Sequence, residues 1–225
     1  MKRLQSVFGS LHNLAFVFDK DGTLIDTETI YFKAFDRMLR EYACEHDVET
    51  HGTMMGASAV HCMEILQARH AGIPQGTSVH ALLLASLDRH LECVRGECGL
   101  PIMPGSSSLL QKARESGIPI AMATSAKRAN AERDLQALGW SKYFQAVVTF
   151  DDVTRHKPAP DVFLEAARRL GVEPSRCIAF EDGHRGVKSA HAAGMKVVFI
   201  RDKRFGLASA PEAHLTVASL DELFT

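Results

Sequence analysis

The sequence predicts an α/β protein built on a doubly wound parallel sheet, with an all-helical cap inserted after the first strand. Three observations lead to this prediction. A short apolar strand near the N-terminus ends abruptly in charged residues, a long stretch without strand patterning follows, and strands then alternate with helices. Strands that are separated by helices of about ten residues favour parallel pairing.

The first strand is predicted at residues 13–18, NLAFVF, because this run is apolar, β-branched and aromatic. A helix is predicted to follow from Thr27, where apolar residues recur at helical spacing: Tyr31, Phe35, Met38, Leu39 and Tyr42. Further helices are predicted at 58–71 and 78–94, and no strand is predicted between 26 and 98. We therefore assign residues 25–98 to the helical cap.

The rest of the chain, residues 1–24 and 99–225, is assigned to the α/β catalytic core. Its helices are predicted at 106–116, 127–138, 161–170 and 185–193, and its later strands at 118–124, 146–150, 177–180 and 196–200. Several of these helices end in glycine, as expected for C-terminal caps: Gly117, Gly139, Gly171 and Gly194. This alternation is typical of a Rossmann-like core, in which ligands bind at the carboxyl ends of the strands. The cap leaves and rejoins the core beside that edge.

Composition excludes several functional classes. The chain has 225 residues, 46% of them apolar, and a net charge of −1, without the basic excess of a nucleic-acid or membrane-surface binder. Its five cysteines form no CxxC pair, which favours reduced thiols in the cytoplasm, and no zinc motif is present. The basic start MKRLQSVFGS leaves a short targeting segment as an alternative to a cytoplasmic N-terminus, although it lacks an apolar core. We expect a monomer.

The stretch FVFDKDGTLIDTE, residues 16–28, is compatible with two chemistries. Asp19, Asp21, Gly22 and Glu28 match positions 3, 5, 6 and 12 of an EF-hand calcium loop. Position 1 of that loop would be Val17, however, and a strand precedes it where a helix is required. The alternative is a strand end that presents two carboxylates to a phosphate and a magnesium ion, and this interpretation is favoured.

Polar residues at the later strand ends strengthen the phosphate interpretation. Thr124 and Ser125 follow the second strand and run into a predicted helix N-terminus, which is a natural anion site. The segment RHKPAPD fixes Lys157 in a proline-stiffened turn, and Glu181 with Asp182 ends the fourth strand. Each feature alone has an ordinary structural explanation, but all four lie where a parallel sheet binds its ligand.

The motifs FDKDGTLIDTE, ATSA, KPAPD and FEDGHRGVKSAHAAGM resemble, in this order, the four motifs of the haloacid dehalogenase-like hydrolases. The nearest branch is that of the β-phosphoglucomutase-like phosphatases, which carry a helical cap after the first motif. The resemblance implies a magnesium-dependent phosphoric monoester hydrolase. Its expected substrate is a small phosphorylated metabolite, such as a sugar phosphate or a nucleoside monophosphate.

The resemblance also implies roles for individual residues. Asp19 would be the nucleophile that forms an aspartyl-phosphate, and Asp21 would be the general acid and base. Lys157 would offset charge in the transition state. The implied phosphate ligands are Thr124, Ser125 and Lys157. The implied Mg²⁺ ligands are Asp19, the backbone carbonyl of Asp21, Glu181 and Asp182.

Three positions depart from the family pattern. Lys20 replaces an apolar residue, Gly183 replaces a serine or alanine, and Tyr31 stands where the sugar phosphomutases of this branch have a histidine. The third departure favours hydrolysis over a phosphomutase, which remains the alternative. A non-catalytic binding protein is a further alternative, and a dehalogenase has no use for the metal ligands. Specificity is expected from residues near the rim of the site: Tyr31, Met55 and Arg128.

Overall fold

The computed structural model describes residues 1–54, 59–205 and 209–224, which form two compact units. The α/β unit contains residues 1–26, 102–202 and 209–224. The helical unit contains the described residues of 27–101 and a short segment that begins at Lys203, which the sequence analysis had placed in the core. Met55 and the first residue of the helix predicted at 58–71 lie outside the described residues.

The α/β unit is built on a six-stranded sheet in which every neighbouring pair is parallel. The strands are β1 (Ala15–Phe18), β2 (Ile120–Ala123), β3 (Ala146–Val148), β4 (Cys177–Glu181), β5 (Lys196–Ile200) and β6 (Leu215–Val217). Their order is β3-β2-β1-β4-β5-β6. The strand order therefore has its topological switch point between β1 and β4, which is where an open α/β sheet binds its ligand. The predicted fold class is confirmed.

Helices cover this sheet on both sides of the central strands. They are α1 (Lys2–Phe8), α6 (Ser106–Glu115), α7 (Arg128–Ala137), α8 (Asp161–Leu170) and α9 (His184–Ala192). Alternate residues of β1 face different parts of the core, as the strand period of two requires. Val17 packs in one buried cluster with Phe163 of α8 and Val187 of α9. The ring of Phe18 stacks on that of Phe180, with centroids 4.4 Å apart.

The helical unit has its own hydrophobic core. Its helices are α2 (Thr27–Arg40), α3 (Val48–Met54), α4 (Ala59–Arg69) and α5 (His80–Cys98), and its described residues contain no strand. The core includes Phe35 and Met38 of α2 and Leu83 and Leu87 of α5. Leu82 of α5 is apolar but 58% exposed. The inward face is set by Leu83 and Leu87, which are spaced four residues apart.

Among the α-helices and strands of the described residues, α1, α3 and β6 were not predicted. Each is short, with seven residues in α1 and in α3 and three in β6. Leu4, Val7 and Phe8 have helical spacing in α1, but seven residues are too few for a repeat to be recognised, and only Leu4 is buried. The other boundaries agree with the prediction to within a few residues, and α8 and β5 match it at both ends.

Candidate active site

Three neighbouring strands deliver the predicted site residues to one edge of the sheet. Asp19 directly follows β1, Thr124 directly follows β2, and Glu181 is the last residue of β4, with Asp182 after it. Because β1 lies between β2 and β4 in parallel pairing, these carboxyl ends are adjacent. Residues from distant parts of the sequence are thereby brought together.

Lys157 is the residue that connects these strand ends. Its ammonium donates to Asp19 Oδ1 at 2.5 Å, to Glu181 Oε1 at 2.6 Å and to the carbonyl of Ala123 at 3.0 Å. All three charged side chains are buried. The turn that carries Lys157 is fixed by Arg185, whose Nη2 donates to the Lys157 carbonyl at 2.6 Å. The lysine is therefore held in place from both its backbone and its side chain.

Burial and charge together shift the pKa values of this pair. Burial raises the pKa of Asp19 to about 7, Glu181 and Asp21 act in the same direction, and Lys157 opposes them. Burial lowers the pKa of Lys157, but the carboxylates of Asp19 and Glu181 more than offset it, so the pKa is raised overall. The lysine thus remains a cation beside a carboxyl group whose charge requires further compensation.

Glu181 is oriented through both of its carboxylate oxygens. Oε1 accepts from Lys157, and Oε2 accepts from the backbone N–H groups of Asp182 and Gly183, each at 3.0 Å. The carboxylate occupies the space above Gly186, where a Cβ atom would lie 1.6 Å from Oε1. Gly186 is therefore required for the position of Glu181, and sequence analysis did not identify it.

Asp182 is positioned by the turn that follows β1. Its Oδ1 accepts from Thr23 Oγ1 at 2.8 Å. Gly22 has φ +76°, and a Cβ atom there would lie 2.0 Å from Asp182 Oδ2. Only glycine combines this left-handed conformation with the necessary space. The DGT segment therefore places Asp21 and anchors Asp182 at the same time.

The phosphate ligands predicted after β2, Thr124 and Ser125, lie in a short loop before α7. This helix begins at Arg128, three residues after Ser125. The backbone N–H of Arg128 donates to Asp151 Oδ2 at 2.8 Å, so an acidic side chain occupies that helix N-terminus. Thr124 is buried and its Oγ1 accepts from the N–H of Ala126 at 3.0 Å, whereas Ser125 is exposed.

Asp21 contacts the unusual lysine beside it. Lys20 Nζ lies 3.0 Å from Asp21 Oδ1 and 2.6 Å from Asp134 Oδ2 on α7. Burial lowers the pKa of Lys20, but these two carboxylates outweigh burial and raise the pKa overall. Lys20 departs from the family pattern, and its pairing with Asp134 was not predicted.

The residues named for specificity occupy different surroundings. Arg128 belongs to the α/β unit, where its guanidinium pairs with Glu132 at 3.0 Å and Asp152 at 2.5 Å, so its charge is engaged within the protein. Tyr31 lies on α2 in the helical unit and is 37% exposed. Met55 is outside the described residues.

The donor set fits a hard divalent cation. Asp19, Asp182 and Glu181 supply buried carboxylate oxygens, and the ammonium of Lys157 pairs with Asp19 and Glu181. Within the described part of the chain, no three Asp, Glu, His or Cys side chains converge into a complete ligand set. Magnesium commonly takes only one or two carboxylates and completes its shell with water and substrate phosphate. The residues present are compatible with that mode of binding.

The chain combines a doubly wound sheet with an inserted helical unit, and it pairs a buried aspartate with a lysine at the strand ends. These features define a class of hydrolases whose active site is built on carboxylates. The model of one family, the haloacid dehalogenase-like hydrolases, matches residues 14–194. The chain belongs to this family. Within the described residues, no helix is both long and apolar enough to cross a membrane.

Similar proteins agree with this membership. The fructose-1-phosphate phosphatase YqaB of Escherichia coli is 36% identical over 193 residues, which is 82% of this chain and 95% of that protein. A phosphorylated carbohydrates phosphatase of Thermotoga maritima is 31% identical over 192 residues, covering 82% of this chain and 83% of that protein. The crystal structure of β-phosphoglucomutase from Clostridium difficile superimposes with a TM-score of 0.71 and 25% identity, covering 93% and 92% of the two chains. The expected enzyme class, a phosphoric monoester hydrolase, is confirmed.

Proposed function

We propose that this protein is a magnesium-dependent phosphatase that hydrolyses a small phosphorylated metabolite through an aspartyl-phosphate on Asp19. One observation carries the proposal: the Lys157 ammonium bridges the buried carboxylates of Asp19 and Glu181 at the carboxyl ends of β1 and β4. An aspartate can approach a phosphate dianion only when nearby cations offset the charge of both. The buried lysine provides part of that compensation.

In the first step, an Asp19 oxygen attacks phosphorus and the ester P–O bond breaks. Asp21 gives its proton to the departing alcohol oxygen. Asp21 is suited to this role because its side chain is 37% exposed and it lies two residues beyond the nucleophile, in the turn held by Gly22. The products of the step are the free alcohol and the phosphorylated Asp19.

In the second step, Asp21 acts as the general base. Its carboxylate takes a proton from a water molecule that attacks the phosphorus, and the bond between phosphorus and the Asp19 oxygen breaks. Inorganic phosphate leaves and the Asp19 carboxylate is restored. Lys157 offsets the negative charge that develops on the phosphoryl oxygens in both steps, and Thr124 and Ser125 are proposed to bind those oxygens.

Asp19 and Asp182 would hold the Mg²⁺, together with the backbone carbonyl of Asp21 and with Glu181. When bound, the ion would neutralise phosphoryl charge and align the phosphoryl group for in-line attack. Glu181 has both oxygens engaged by protein donors, so we assign it the weaker share of this role.

The proposed substrate is a sugar phosphate or a nucleoside monophosphate. The names of the relatives support the first: one acts on fructose 1-phosphate and another on phosphorylated carbohydrates. The net charge of −1 supports a small-molecule substrate rather than nucleic acid or a membrane surface. We also propose a monomer in the cytoplasm, and the absence of disulfides among the five cysteines supports a reducing compartment.

The test is a phosphate-release assay over a panel of sugar phosphates and nucleoside monophosphates, with Mg²⁺ and after chelation. We expect metal-dependent release from at least one sugar phosphate. No release from any phosphate monoester, combined with tight binding of one of them, would instead identify a non-catalytic binding protein.

A sugar phosphomutase is the second candidate, and the similarity to a β-phosphoglucomutase structure favours it. Tyr31 argues against it, since mutases of this branch have a histidine at this position and must shield their phosphoenzyme from water. The two are separated by supplying a hexose 1-phosphate with a trace of its bisphosphate. Phosphate should form about one-for-one with substrate loss, whereas faster formation of the 6-phosphate isomer would replace the phosphatase assignment with the mutase.

A further inference from the structure

A buried lysine that the proposed chemistry does not use lies beside the candidate acid and base. Lys20 is 1% exposed, and its ammonium contacts Asp134 Oδ2 at 2.6 Å. Asp134 is itself fully buried, on α7. The same ammonium lies 3.0 Å from Asp21 Oδ1. All three residues belong to the α/β unit.

Stability alone does not account for this buried pair. Removing two charges from water costs free energy that their attraction only partly returns, and apolar replacements of similar volume are often neutral or stabilising. Lys20 lies two residues after the end of β1, where Phe16 and Phe18 are apolar and entirely buried. A leucine or methionine at position 20 facing an apolar residue at 134 would satisfy the same space.

What the pair adds is a fixed positive charge directed at Asp21. Asp134 is held on a helix and also accepts from Arg133 Nη2 at 3.2 Å, so its carboxylate has a defined orientation. The backbone carbonyl of Lys20 accepts from the N–H groups of Leu24 and Ile25, both at 3.0 Å, which closes the turn that carries Asp21. Lys20 is thus fixed at its backbone by the turn and at its ammonium by Asp134. The Asp21 side chain is 37% exposed and is restrained by its contact with this ammonium.

We propose that Lys20, held by Asp134, is a positioning residue that orients the Asp21 carboxylate for proton transfer to the leaving group. The inference rests on the proposed phosphatase function. The ion pair with Oδ1 limits the rotation of the carboxylate and leaves Oδ2 to face the substrate oxygen. General acid catalysis depends on such placement within hydrogen-bond distance. Lys20 does not touch the substrate in this account.

The test uses the double variant Lys20→Met/Asp134→Leu, which removes both buried charges and leaves neither unpaired. Urea denaturation compares its stability with that of the wild type and of Lys188→Met, which changes an exposed lysine on α9. The kinetic readout is kcat/KM for the best sugar phosphate of the panel and for p-nitrophenyl phosphate. Departure of p-nitrophenolate needs little protonation, so only the sugar phosphate depends strongly on an oriented acid.

We expect the kcat/KM of the double variant to fall at least about tenfold further for the sugar phosphate than for p-nitrophenyl phosphate. The Lys188→Met control should leave the ratio of the two substrates unchanged. An unchanged ratio in a folded double variant, whether both values fall together or neither falls, would overturn the positioning role, because a purely structural effect acts on both substrates alike.

A crystallographic comparison tests the same inference without turnover. Crystal structures of the wild type and the double variant should show one Asp21 orientation in contact with Lys20 in the first, and several or a displaced one in the second. The same single orientation in both would contradict the inference even in an active enzyme. If the wild type hydrolyses no phosphate monoester, the proposed function fails, and this comparison still decides whether Lys20 restrains Asp21.

Discussion

The ammonium of Lys157 lies 2.5 Å from Asp19 Oδ1, although 138 residues separate the two in the sequence. The contact joins the turn before α8 to the end of β1, and a second contact at 2.6 Å joins that turn to Glu181 of β4. Burial raises the pKa of Asp19 to about 7, and Lys157 is the cation that opposes this shift. Loss of Lys157 therefore leaves two buried carboxylates without their common partner.

The variant Lys157→Met should lower kcat/KM by about 10²–10³-fold, since it removes charge compensation from a buried site. The measurement is steady-state phosphate release at saturating Mg²⁺. Lys188→Met, which removes an exposed lysine, serves as the matched control and should retain wild-type activity. Activity within about threefold of wild type in folded Lys157→Met would contradict the assigned role.

The variant Gly186→Ala should displace the Glu181 carboxylate from the site. Its Cβ atom would lie 1.6 Å from Glu181 Oε1, so the carboxylate must move and its contact with Lys157 is lost. We expect the free energy of unfolding to fall by about 1–3 kcal/mol, together with a loss of activity. Gly96→Ala is the control, because no atom lies within 4 Å of the added carbon on α5. That variant should be unchanged or slightly more stable, by up to about 1 kcal/mol.

Calcium should inhibit rather than support turnover. Magnesium requires a near-octahedral shell that fixes its ligands, whereas calcium accepts more ligands in a looser arrangement. Titrating Ca²⁺ into the enzyme at fixed Mg²⁺ should therefore reduce phosphate release in a competitive manner. Equal rates with either ion as the only divalent cation would refute this account of the metal site.

The helical unit should lose stability in mild acid through His46. This ring packs against Phe32 and lies 3.0 Å from His51 through Nε2 and Nδ1. Burial, and then the neighbouring His51, lower its pKa to about 4 from an ordinary value of 6.5. Because the unfolded chain binds the proton more tightly, this contribution is complete above pH 6.5 and is lost as the pH falls towards 4.

Urea denaturation at pH 7, 5.5 and 4.5 measures this effect. As the pH is lowered, the free energy of unfolding should decrease more steeply for the wild type than for His46→Gln. The two slopes should differ by up to about 1.4 kcal/mol per pH unit in this range. His61→Gln changes an exposed histidine of α4 and should keep the wild-type slope. Equal slopes for wild type and His46→Gln would show that His46 is not the responsible group.

The sheet and the grouping of the candidate site residues could be predicted together, because ligands bind at the carboxyl ends of parallel strands. Asp19, Thr124, Lys157 and Asp182 could be grouped because each lies at or after the carboxyl end of a parallel strand. The contact of Lys20 with Asp134 could not be predicted, since α7 has the polar sequence RANAERDLQA, which does not reveal its inward face. The steric role of Gly186 depends on where the Glu181 side chain lies, which is a property of tertiary packing. Strand β6 has three residues and no alternation long enough to recognise.

The central claim is that Asp19 becomes phosphorylated during turnover, and rapid acid quench tests it most directly. The wild-type enzyme is mixed with a ³²P-labelled substrate, quenched within milliseconds and digested, and the labelled peptide is identified. We predict label on the peptide that contains Asp19 and none in a folded Asp19→Asn variant, whose turnover should also be abolished because an amide is a poor nucleophile. Label on another residue, or a tenth or more of the wild-type kcat in Asp19→Asn, would contradict the account.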